Sequence, residues 1–204
     1  MDGGENINKS ELWAIILAGG ESKRMKAPKM LLPFMGRTII EKVIENVTSS
    51  DVDKTLVVLG AEHKAVLKVI TGLSVTYCYN DKYKEGMLSS VICGFRSLPD
   101  DFEAVLVFQG DQPMIPAQAI NELIIAYRKS GKGIVIPVFD KQRGHPLLID
   151  RKYRDEIEKL NTEEGLRSLA EKFHSDVLDF DVNSPEILRD IDTKEDYLKE
   201  MNQT

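Results

Sequence analysis

The sequence lacks a cysteine-rich metal motif and any apolar run of membrane-spanning length. Its two cysteines, Cys78 and Cys93, lie among apolar residues without the spacing of a metal site, so we expect reduced core thiols in a cytoplasmic protein. Since no stretch approaches the length of a transmembrane helix, we expect no membrane partner. The polar residues 1–11 do not resemble a secretory signal, and we interpret residues 1–10 as a flexible leader.

An excess of positive charge is also absent. The 204 residues include 27 lysines and arginines against 33 aspartates and glutamates, which gives a net charge of −6. This balance argues against a general nucleic-acid-binding protein, and we expect no nucleic-acid partner. Hydrophobic residues make up 42% of the chain, and its length is sufficient to bury a sizeable core. We therefore predict a single domain over residues 11–204.

Two common phosphate-binding motifs are missing as well. A P-loop needs the pattern G-x-x-x-x-G-K-[ST], and no segment of the chain fits it. A dinucleotide-binding turn needs G-x-G-x-x-G, but Gly19 and Gly20 are followed by no glycine before Gly36. Both of these nucleotide-binding classes are therefore set aside.

What the chain does contain is a basic loop near its N-terminus. A short apolar run, residues 12–17, ends at the glycine pair and predicts a buried strand that stops in a tight loop. The loop carries four cations, Lys23, Arg24, Lys26 and Lys29, against the single acidic residue Glu21. Free backbone N–H groups and several cations in one loop suit a polyphosphate anion. A solvated surface turn is the alternative interpretation.

The rest of the chain alternates between β-branched apolar runs and apolar residues at helical spacing. Strands are predicted at residues 55–59, 75–79, 104–108, 133–139, 146–149 and 176–180. Helices are predicted after a capping box at Thr38 and Glu41, at residues 63–70, 87–98, 116–130, 151–160 and 165–172, and after Thr193. Repeated strand–helix units imply right-handed crossovers and a mainly parallel sheet, which is an α/β fold.

Two further polar motifs follow predicted strands, at the carboxyl ends where ligands bind in such sheets. Asp111 comes after the strand at 104–108 and suits a divalent cation such as Mg²⁺, although an Asx-turn is the more frequent use of Gly-Asp-x-Pro. Asn80 follows the strand at 75–79 and begins a segment that leads to Ser89 and Ser90. These serines lie at a predicted helix start, where N–H groups are free to meet a ligand.

The basic loop resembles the signature L-A-[AG]-G-x-S-x-R-M-G-x-x-K of the MobA-like nucleotidyltransferases. The matching residues are Leu17, Ala18, Gly19, Gly20, Ser22, Arg24, Met25 and Lys29, while Lys26 stands where the family usually has glycine. Residues 80–95, 109–113, 143–146 and 190–197 are similar to later motifs of the family. The resemblance implies a single-domain, Rossmann-like three-layer sandwich with a mainly parallel sheet, of the nucleotide-diphospho-sugar transferase type.

The resemblance also implies roles for individual residues. The catalytic residues would be Arg24, Lys29 and Asp111. The nucleotide-binding residues would be Leu17, Ala18, Gly19, Gly20, Ser22, Lys29, Asn80, Gly86, Ser89 and Ser90. His145 would donate a hydrogen bond to the acceptor phosphate, with a structural histidine in a Gly-Pro turn as an equal alternative. Asp111 and Asp192 would hold Mg²⁺, although for Asp192 we favour the alternative in which Asp192 and Thr193 cap the last helix. His63 and His174 are interpreted as surface residues.

The implied reaction is the Mg²⁺-dependent transfer of CMP from CTP, or of GMP from GTP, to the phosphate of a molybdopterin-type acceptor. CTP is the first choice because Gln112-Pro113 and Gly144-His145-Pro146 look like the cytidylyl enzymes, whereas the glycine pair resembles the guanylyl enzymes. A molybdenum hydroxylase apo-enzyme is a further candidate partner. A sugar- or polyol-phosphate nucleotidyltransferase and a non-catalytic nucleotide- or cofactor-binding maturation factor remain as alternatives.

Overall fold

The structure is a computed structural model in which residues 10–22, 24–25, 27–161 and 165–202 are described. Residues 1–9 of the predicted leader, together with Lys23 and Lys26 of the basic loop, lie outside this part of the chain. No helix among the described residues is long and apolar enough to cross a membrane.

A mainly parallel sheet of eight strands forms the centre of the fold. In chain order the strands are β1 (Trp13–Ala18), β2 (Pro33–Phe34), β3 (Arg37–Thr38), β4 (Lys54–Leu59), β5 (Thr76–Tyr79), β6 (Ala104–Gln109), β7 (Ile134–Phe139), β8 (Gln142–Arg143), β9 (Leu147–Asp150) and β10 (Val177–Asp181). The order across the large sheet is β10-β7-β9-β6-β1-β4-β5, with β8 paired to β7 and with β2 and β3 forming a separate hairpin. Strand β9 runs antiparallel to β6 and β7, and the other pairs along this path are parallel.

Seven α-helices are assigned in the described part of the chain. They are α1 (Ile39–Thr48), α2 (His63–Ile70), α3 (Met87–Arg96), α4 (Ala117–Ser130), α5 (Arg154–Glu158), α6 (Arg167–Lys172) and α7 (Lys194–Asn202). Helix α1 begins at the predicted capping box, in which the Glu41 N–H donates to Thr38 Oγ1 and the Thr38 N–H donates to the Glu41 carboxylate. The sequence therefore places this helix start correctly.

Strand β1 shows why the sheet is covered on both faces. Its six residues are all buried, and successive side chains of a strand point to opposite faces. Ala14 and Ile16 belong to the core that includes residues of α1, α2 and α4, whereas Ile15 and Leu17 belong to the core that includes residues of α3, α5 and α6. The continuous apolar sequence thus produces a three-layer sandwich, and the predicted fold class is confirmed.

Several local predictions need correction. Residues 33–38, where the apolar pattern predicts no strand, form the hairpin of β2 and β3, whose two turn residues, Met35 and Gly36, have positive φ angles of 50° and 79°. The helix predicted at 151–160 is a 3₁₀ turn, Arg151–Tyr153, followed by the short helix α5. His63 is half-buried rather than a plain surface residue, because its ring lies 4.7 Å from that of Tyr79.

The two cysteines are also not core residues. Cys78 lies in β5, the last strand at one edge of the sheet, and Cys93 lies in α3. Both are half-buried and both are free thiols. The edge position explains the difference, since the sheet continues on one side of β5 only and leaves part of its surface open to solvent.

The parallel pairing places the loops that follow four strands at the same end of the sheet. Strand β1 pairs with β4 and β6, and β4 pairs with β5, all in parallel. The carboxyl ends of these strands therefore lie side by side, at Ala18, Leu59, Tyr79 and Gln109. The loops after Ala18, Tyr79 and Gln109 carry the polar motifs singled out in the sequence, so the fold itself assembles a candidate site.

Candidate active site

The centre of the site is a network of ion pairs between the basic loop and two acidic residues. Lys29 Nζ lies 2.6 Å from Asp111 Oδ2 and 2.9 Å from Asp192 Oδ1. Arg24 Nη2 lies 2.8 Å from the other oxygen of Asp192. Three segments that are far apart in sequence meet here: the basic loop, the end of β6 and the approach to α7. Lys29 and Asp111 are buried, while the side chain of Arg24 is 71% exposed.

Electrostatics keep Lys29 charged in this network. Burial works against the charged form, but the attraction of Asp111 and the hydrogen bonds to both carboxylates outweigh it and raise the pKa of Lys29 above its ordinary value. For neighbouring Asp190 the surroundings favour the neutral form instead. Burial, together with repulsion from Asp192 and Asp111, raises the pKa of the Asp190 carboxyl. The carboxylates of Asp111 and Asp192 thus raise the pKa of the buried lysine and also that of a neighbouring acid.

The donor atoms of this cluster fit a divalent cation. Asp111 Oδ1 is buried and has no hydrogen-bond partner among the described residues, which leaves one carboxylate oxygen available. Carboxylate oxygens are the hard donors that Mg²⁺ prefers, and Mg²⁺ commonly takes one or two protein carboxylates with phosphate oxygens and water as its other ligands. Asp111 and Asp192 supply two carboxylates at the same place, which matches that sparse type of site. The described residues contain no cluster of three or more side chains that could hold a metal ion.

The basic loop is folded tightly against the sheet. Ser22 has a positive φ of 50°, and its Oγ accepts a hydrogen bond from the backbone N–H of Lys29 at 3.2 Å. This contact places Lys29 at the start of the 3₁₀ turn Lys29–Leu31. The Gly19 carbonyl accepts a hydrogen bond from the N–H of Ala61, and a Cβ at Gly60 would lie only 2.4 Å from that carbonyl oxygen. Glycine at position 60 therefore permits the close approach of the loop.

The start of α3 forms a second wall. Gly86 is the N-cap residue and has a φ of 103°, a conformation that favours glycine. The side-chain amide of Asn80 donates to Ser89 Oγ at 2.9 Å and to Ser90 Oγ at 3.0 Å, and Asn80 Oδ1 accepts from the N–H of Lys82. Asn80 and both serines are buried, and of these three only Ser90 lines the adjoining cavity, together with Gly86.

Two adjoining cavities open at these walls. The first, of about 410 Å³, is lined by Leu17, Gly19, Gly20, Glu21, Ser22, Arg24, Lys29, Met30, Tyr83, Gly86, Met87, Ser90, Gln109, Asp111 and Asp192. It gathers most of the residues expected to bind nucleotide, together with all of those expected to act in catalysis. Ala18, Asn80 and Ser89 lie behind its surface. Volumes of this order are usual for small-molecule sites.

The second cavity, of about 610 Å³, is mainly apolar. It is lined by Leu17, Met87, Leu88, Val91, Val107, Gln109, Ile136, Arg143, Gly144, His145, Leu147, Gly165, Leu166, Arg167 and Ala170. Leu17, Met87 and Gln109 belong to both cavities, so the two adjoin. The two arginines are held by acidic partners, Arg143 by Asp179 and Arg167 by Glu171.

His145 reaches the boundary between the cavities as a neutral side chain. Burial lowers the pKa of His145, against a smaller opposing attraction from Asp111. The Gln109 amide nitrogen lies 3.1 Å from His145 Nε2 and 3.3 Å from Nδ1, and it can donate to whichever of the two ring nitrogens carries no proton. His145 is therefore a hydrogen-bonding group at neutral pH and not a cation. The peptide bond between His145 and Pro146 is cis.

Of the two residues predicted to cap the last helix, Thr193 does so, whereas the side chain of Asp192 does not. Helix α7 is capped by Thr193, whose Oγ1 accepts from the Asp196 N–H at 3.2 Å, while the Asp196 carboxylate accepts from the N–H of Thr193 at 2.8 Å. This reciprocal pair leaves the Asp192 carboxylate to bond Lys29 and Arg24 instead. The sequence reasoning also missed Gln109, although its place at the end of a buried strand was a usable signal.

Comparisons with known proteins agree with this architecture. The family described as "MobA-like NTP transferase domain" matches residues 14–177 of the chain. Among curated proteins, "Bifunctional protein GlmU" of Caldicellulosiruptor saccharolyticus is 31% identical over 140 residues, which are 66% of this chain and 30% of that protein. The match thus covers less than a third of the length of this curated relative.

Solved structures share the fold over nearly the whole chain. Rv0371c of Mycobacterium tuberculosis H37Rv superposes with a TM-score of 0.85 at 20% identity, covering 95% of this chain and 98% of that one. A manganese complex of Rv0371c superposes with a TM-score of 0.81 at 19% identity, covering 96% and 100%. Molybdopterin-guanine dinucleotide biosynthesis protein A of Archaeoglobus fulgidus gives a TM-score of 0.70 at 18% identity, covering 94% and 97%. At these identities the likeness concerns the fold alone.

Proposed function

This chain belongs to the family of MobA-like NTP transferase domains, and we propose that it is a Mg²⁺-dependent nucleotidyltransferase. The reaction moves CMP from CTP to the phosphate of a molybdopterin-type acceptor and releases pyrophosphate, with GTP as the second choice of donor. The observation that carries the proposal is the meeting of Arg24 and Lys29 with Asp111 and Asp192 at the wall of the first cavity.

In the proposed reaction the main task of the protein is to neutralise the negative charge of the phosphate groups. An acceptor phosphate is already an anionic nucleophile, so the site needs no strong general base. The barrier comes from repulsion between anions and from charge on the leaving pyrophosphate, and preorganised cations and N–H donors lower it. Lys29 and Arg24 neutralise the triphosphate, the backbone around Gly19 and Gly20 offers N–H donors, and the Ser22 hydroxyl adds a further contact.

The metal would be held by Asp111 and Asp192. When bound, Mg²⁺ supplies Lewis-acid polarisation of phosphate oxygens and neutralises part of their charge. Lys29 pairs with both carboxylates, so the protein balances their charge with its own cation when neither metal nor nucleotide is present. The manganese complex of the mycobacterial protein of the same fold supports a divalent cation.

Asn80 and Ser89 enter the proposal as supports of the nucleotide-binding wall. Because both are buried and bonded to one another, they hold the start of α3 so that Ser90 and Gly86 face the cavity. A nucleotide in the first cavity would then meet Ser90 and the backbone at Gly86.

The second cavity supports a fused-ring acceptor over a sugar phosphate. An apolar wall leaves the hydroxyl groups of a sugar without hydrogen-bond partners, which costs affinity. The ring face of a heterocycle gains from contact with side chains such as Val91, Ile136 and Leu147. The acceptor phosphate would lie near Gln109 and His145, where the second cavity meets the first.

A substrate panel tests the proposal. The chain is incubated with Mg²⁺ and CTP, GTP, ATP or UTP, each with molybdopterin or with sugar and polyol phosphates, and pyrophosphate release and product mass are measured. We expect pyrophosphate with CTP and molybdopterin, and a CMP-linked product. Turnover confined to sugar or polyol phosphates would overturn the acceptor, and nucleotide binding without pyrophosphate from any pair would indicate a carrier or maturation factor.

A further inference from the structure

The two cysteines of the chain meet in space although the proposed reaction uses neither. Cys78 Sγ and Cys93 Sγ lie 3.7 Å apart, and the residues are 15 positions apart in sequence. Both are half-buried free thiols, and Cys78 lies in the edge strand β5 beside the exposed residues Tyr77 and Tyr79. The chain has no other cysteine, so each thiol has one candidate partner within the molecule.

The pair brackets a structurally defined part of the molecule. Residues 79–92, which lie between the cysteines, include the end of β5, the 3₁₀ turn Tyr83–Glu85 and the first turns of α3. Tyr83, Gly86, Met87 and Ser90 of this segment line the first cavity. A covalent bond between the cysteines would therefore close residues 79–92 into a covalent loop that contains these cavity-lining residues.

We propose that Cys78 and Cys93 are a thiol modification site that forms a reversible intrachain disulfide and closes the segment 79–92. The sulfur atoms lie 3.7 Å apart, and they must approach by roughly 1.6 Å to reach bonding distance. The oxidant is a small disulfide such as glutathione disulfide, which reaches the pair from the open edge of the sheet. This inference rests on the thiol geometry and does not depend on the proposed reaction.

The exchange proceeds in two balanced steps. The Cys78 thiolate attacks one sulfur of glutathione disulfide, whose S–S bond breaks, and one glutathione thiolate leaves. Cys93 then gives up its proton to the released glutathione thiolate, and the Cys93 thiolate attacks the Cys78 sulfur, breaks the mixed disulfide and releases the second glutathione as a thiolate, which takes the proton that Cys78 lost on ionisation. The two protein thiols are oxidised to one disulfide, and one glutathione disulfide is reduced to two glutathione molecules.

The surroundings favour Cys78 as the first nucleophile. When Cys78 is ionised, the Cys93 S–H can donate to its thiolate, and this interaction lowers the pKa of Cys78 to about 7, although burial acts in the opposite direction. The same hydrogen bond, together with burial, raises the pKa of Cys93. Cys93 therefore enters as the second, resolving thiol.

The test uses the full chain equilibrated with glutathione disulfide or with excess reduced glutathione. We expect the thiol count under denaturing conditions to fall from two to zero on oxidation, with a monomer lighter by two hydrogen atoms. The midpoint of thermal unfolding should rise by about 5–10 °C, since a loop of this length restricts the unfolded chain. Amide hydrogen exchange should slow within residues 79–92, and dithiothreitol should reverse every change.

The variants Cys93→Ser and Cys78→Ser are the matched controls. Each retains one thiol, so oxidation should leave glutathione attached and should give neither the rise in unfolding temperature nor the slower exchange. The proposal is overturned if oxidised wild-type protein keeps both thiols, carries glutathione without an internal bond, or forms covalent dimers.

Discussion

The two adjoining cavities are lined by different types of residue. The first brings Arg24, Lys29, Asp111 and Asp192 together with glycine backbone, whereas the second consists mainly of aliphatic side chains, and its arginines are paired with acidic neighbours. Buried charges interact with any polyphosphate, because the Coulomb energy depends on the charge of the phosphate groups and not on the shape of the rest of the ligand. We infer that the first cavity serves the chemistry and that the second selects the acceptor.

The largest expected effect comes from removing the carboxylate charge at Asp111. Asp111→Asn keeps the size of the side chain but weakens the hold on a divalent cation, and we expect pyrophosphate release to fall by about 10³-fold. Stopped-time assays with saturating CTP and acceptor measure the loss, and circular dichroism checks the fold. Asp101→Asn, at an exposed position, is the control and should keep wild-type turnover. Near-normal turnover of Asp111→Asn would remove this residue from the mechanism.

Lys29 offers a sharper test of the charged cavity, because substitution should act in opposite directions on two measurements. Lys29→Met should lower kcat/KM for CTP by about 10²-fold, since one phosphate-neutralising cation is lost. In the absence of nucleotide, the same variant should bind Mn²⁺ more tightly, because Asp111 and Asp192 no longer pair with Lys29. Titration of Mn²⁺ followed by electron paramagnetic resonance gives the affinity. Weaker Mn²⁺ binding would show that Lys29 does not compete with the cation.

The apolar cavity should respond on the acceptor side alone. Leu147 lines this cavity and is half-buried, so Leu147→Ser removes apolar contact there without an internal charge. We expect the KM of the acceptor to rise about tenfold, a typical effect of lost apolar contact, while the KM of CTP stays within about twofold. Leu198→Ser, in the exposed part of α7, is the matched control. An equal rise of both KM values would contradict the division of labour between the cavities.

The smallest expected effect concerns His145, at the boundary. Burial lowers its pKa in the folded protein, so below pH 6.5 the unfolded chain takes up a proton that the folded chain does not. Stability therefore falls as the pH drops below 6.5, with a slope of at most about 1.4 kcal/mol per pH unit for one proton. Urea unfolding at pH 7.5 and 5.5 should show a smaller loss for His145→Gln than for wild type. The same loss in both proteins would mean that His145 is protonated in the fold.

Local sequence signals were sufficient for most of the fold. The apolar run of β1, the capping box of α1 and the glycine pair each reflect short-range effects: side-chain burial, hydrogen bonding over three residues and freedom of the backbone. Boundaries were less accurate where neighbours decide them. The hairpin of β2 and β3 depends on two consecutive residues with positive φ, and Met35 is not a residue type that signals one.

The site was predictable in its parts but not in its connections. The sequence pointed to the basic loop and to Asp111, because each follows a strand that the apolar pattern marks as buried. It could not show that Asn80 and Ser89 form a hydrogen bond with one another behind the cavity wall, or that Gln109 lies within hydrogen-bond distance of His145. These contacts depend on side-chain directions in neighbouring elements, and periodicity carries no information about them.

The sequence by itself determined the alternation of strands and helices, the basic loop and the acidic residue after β6, since hydrophobic spacing and turn chemistry act over a few residues. Only the tertiary structure decided that Lys29 lies between Asp111 and Asp192, which are 82 and 163 positions away, and that Cys78 faces Cys93. Such meetings arise because packing of the sheet and its helices brings distant segments together, and the free energy of that packing is shared over the whole core.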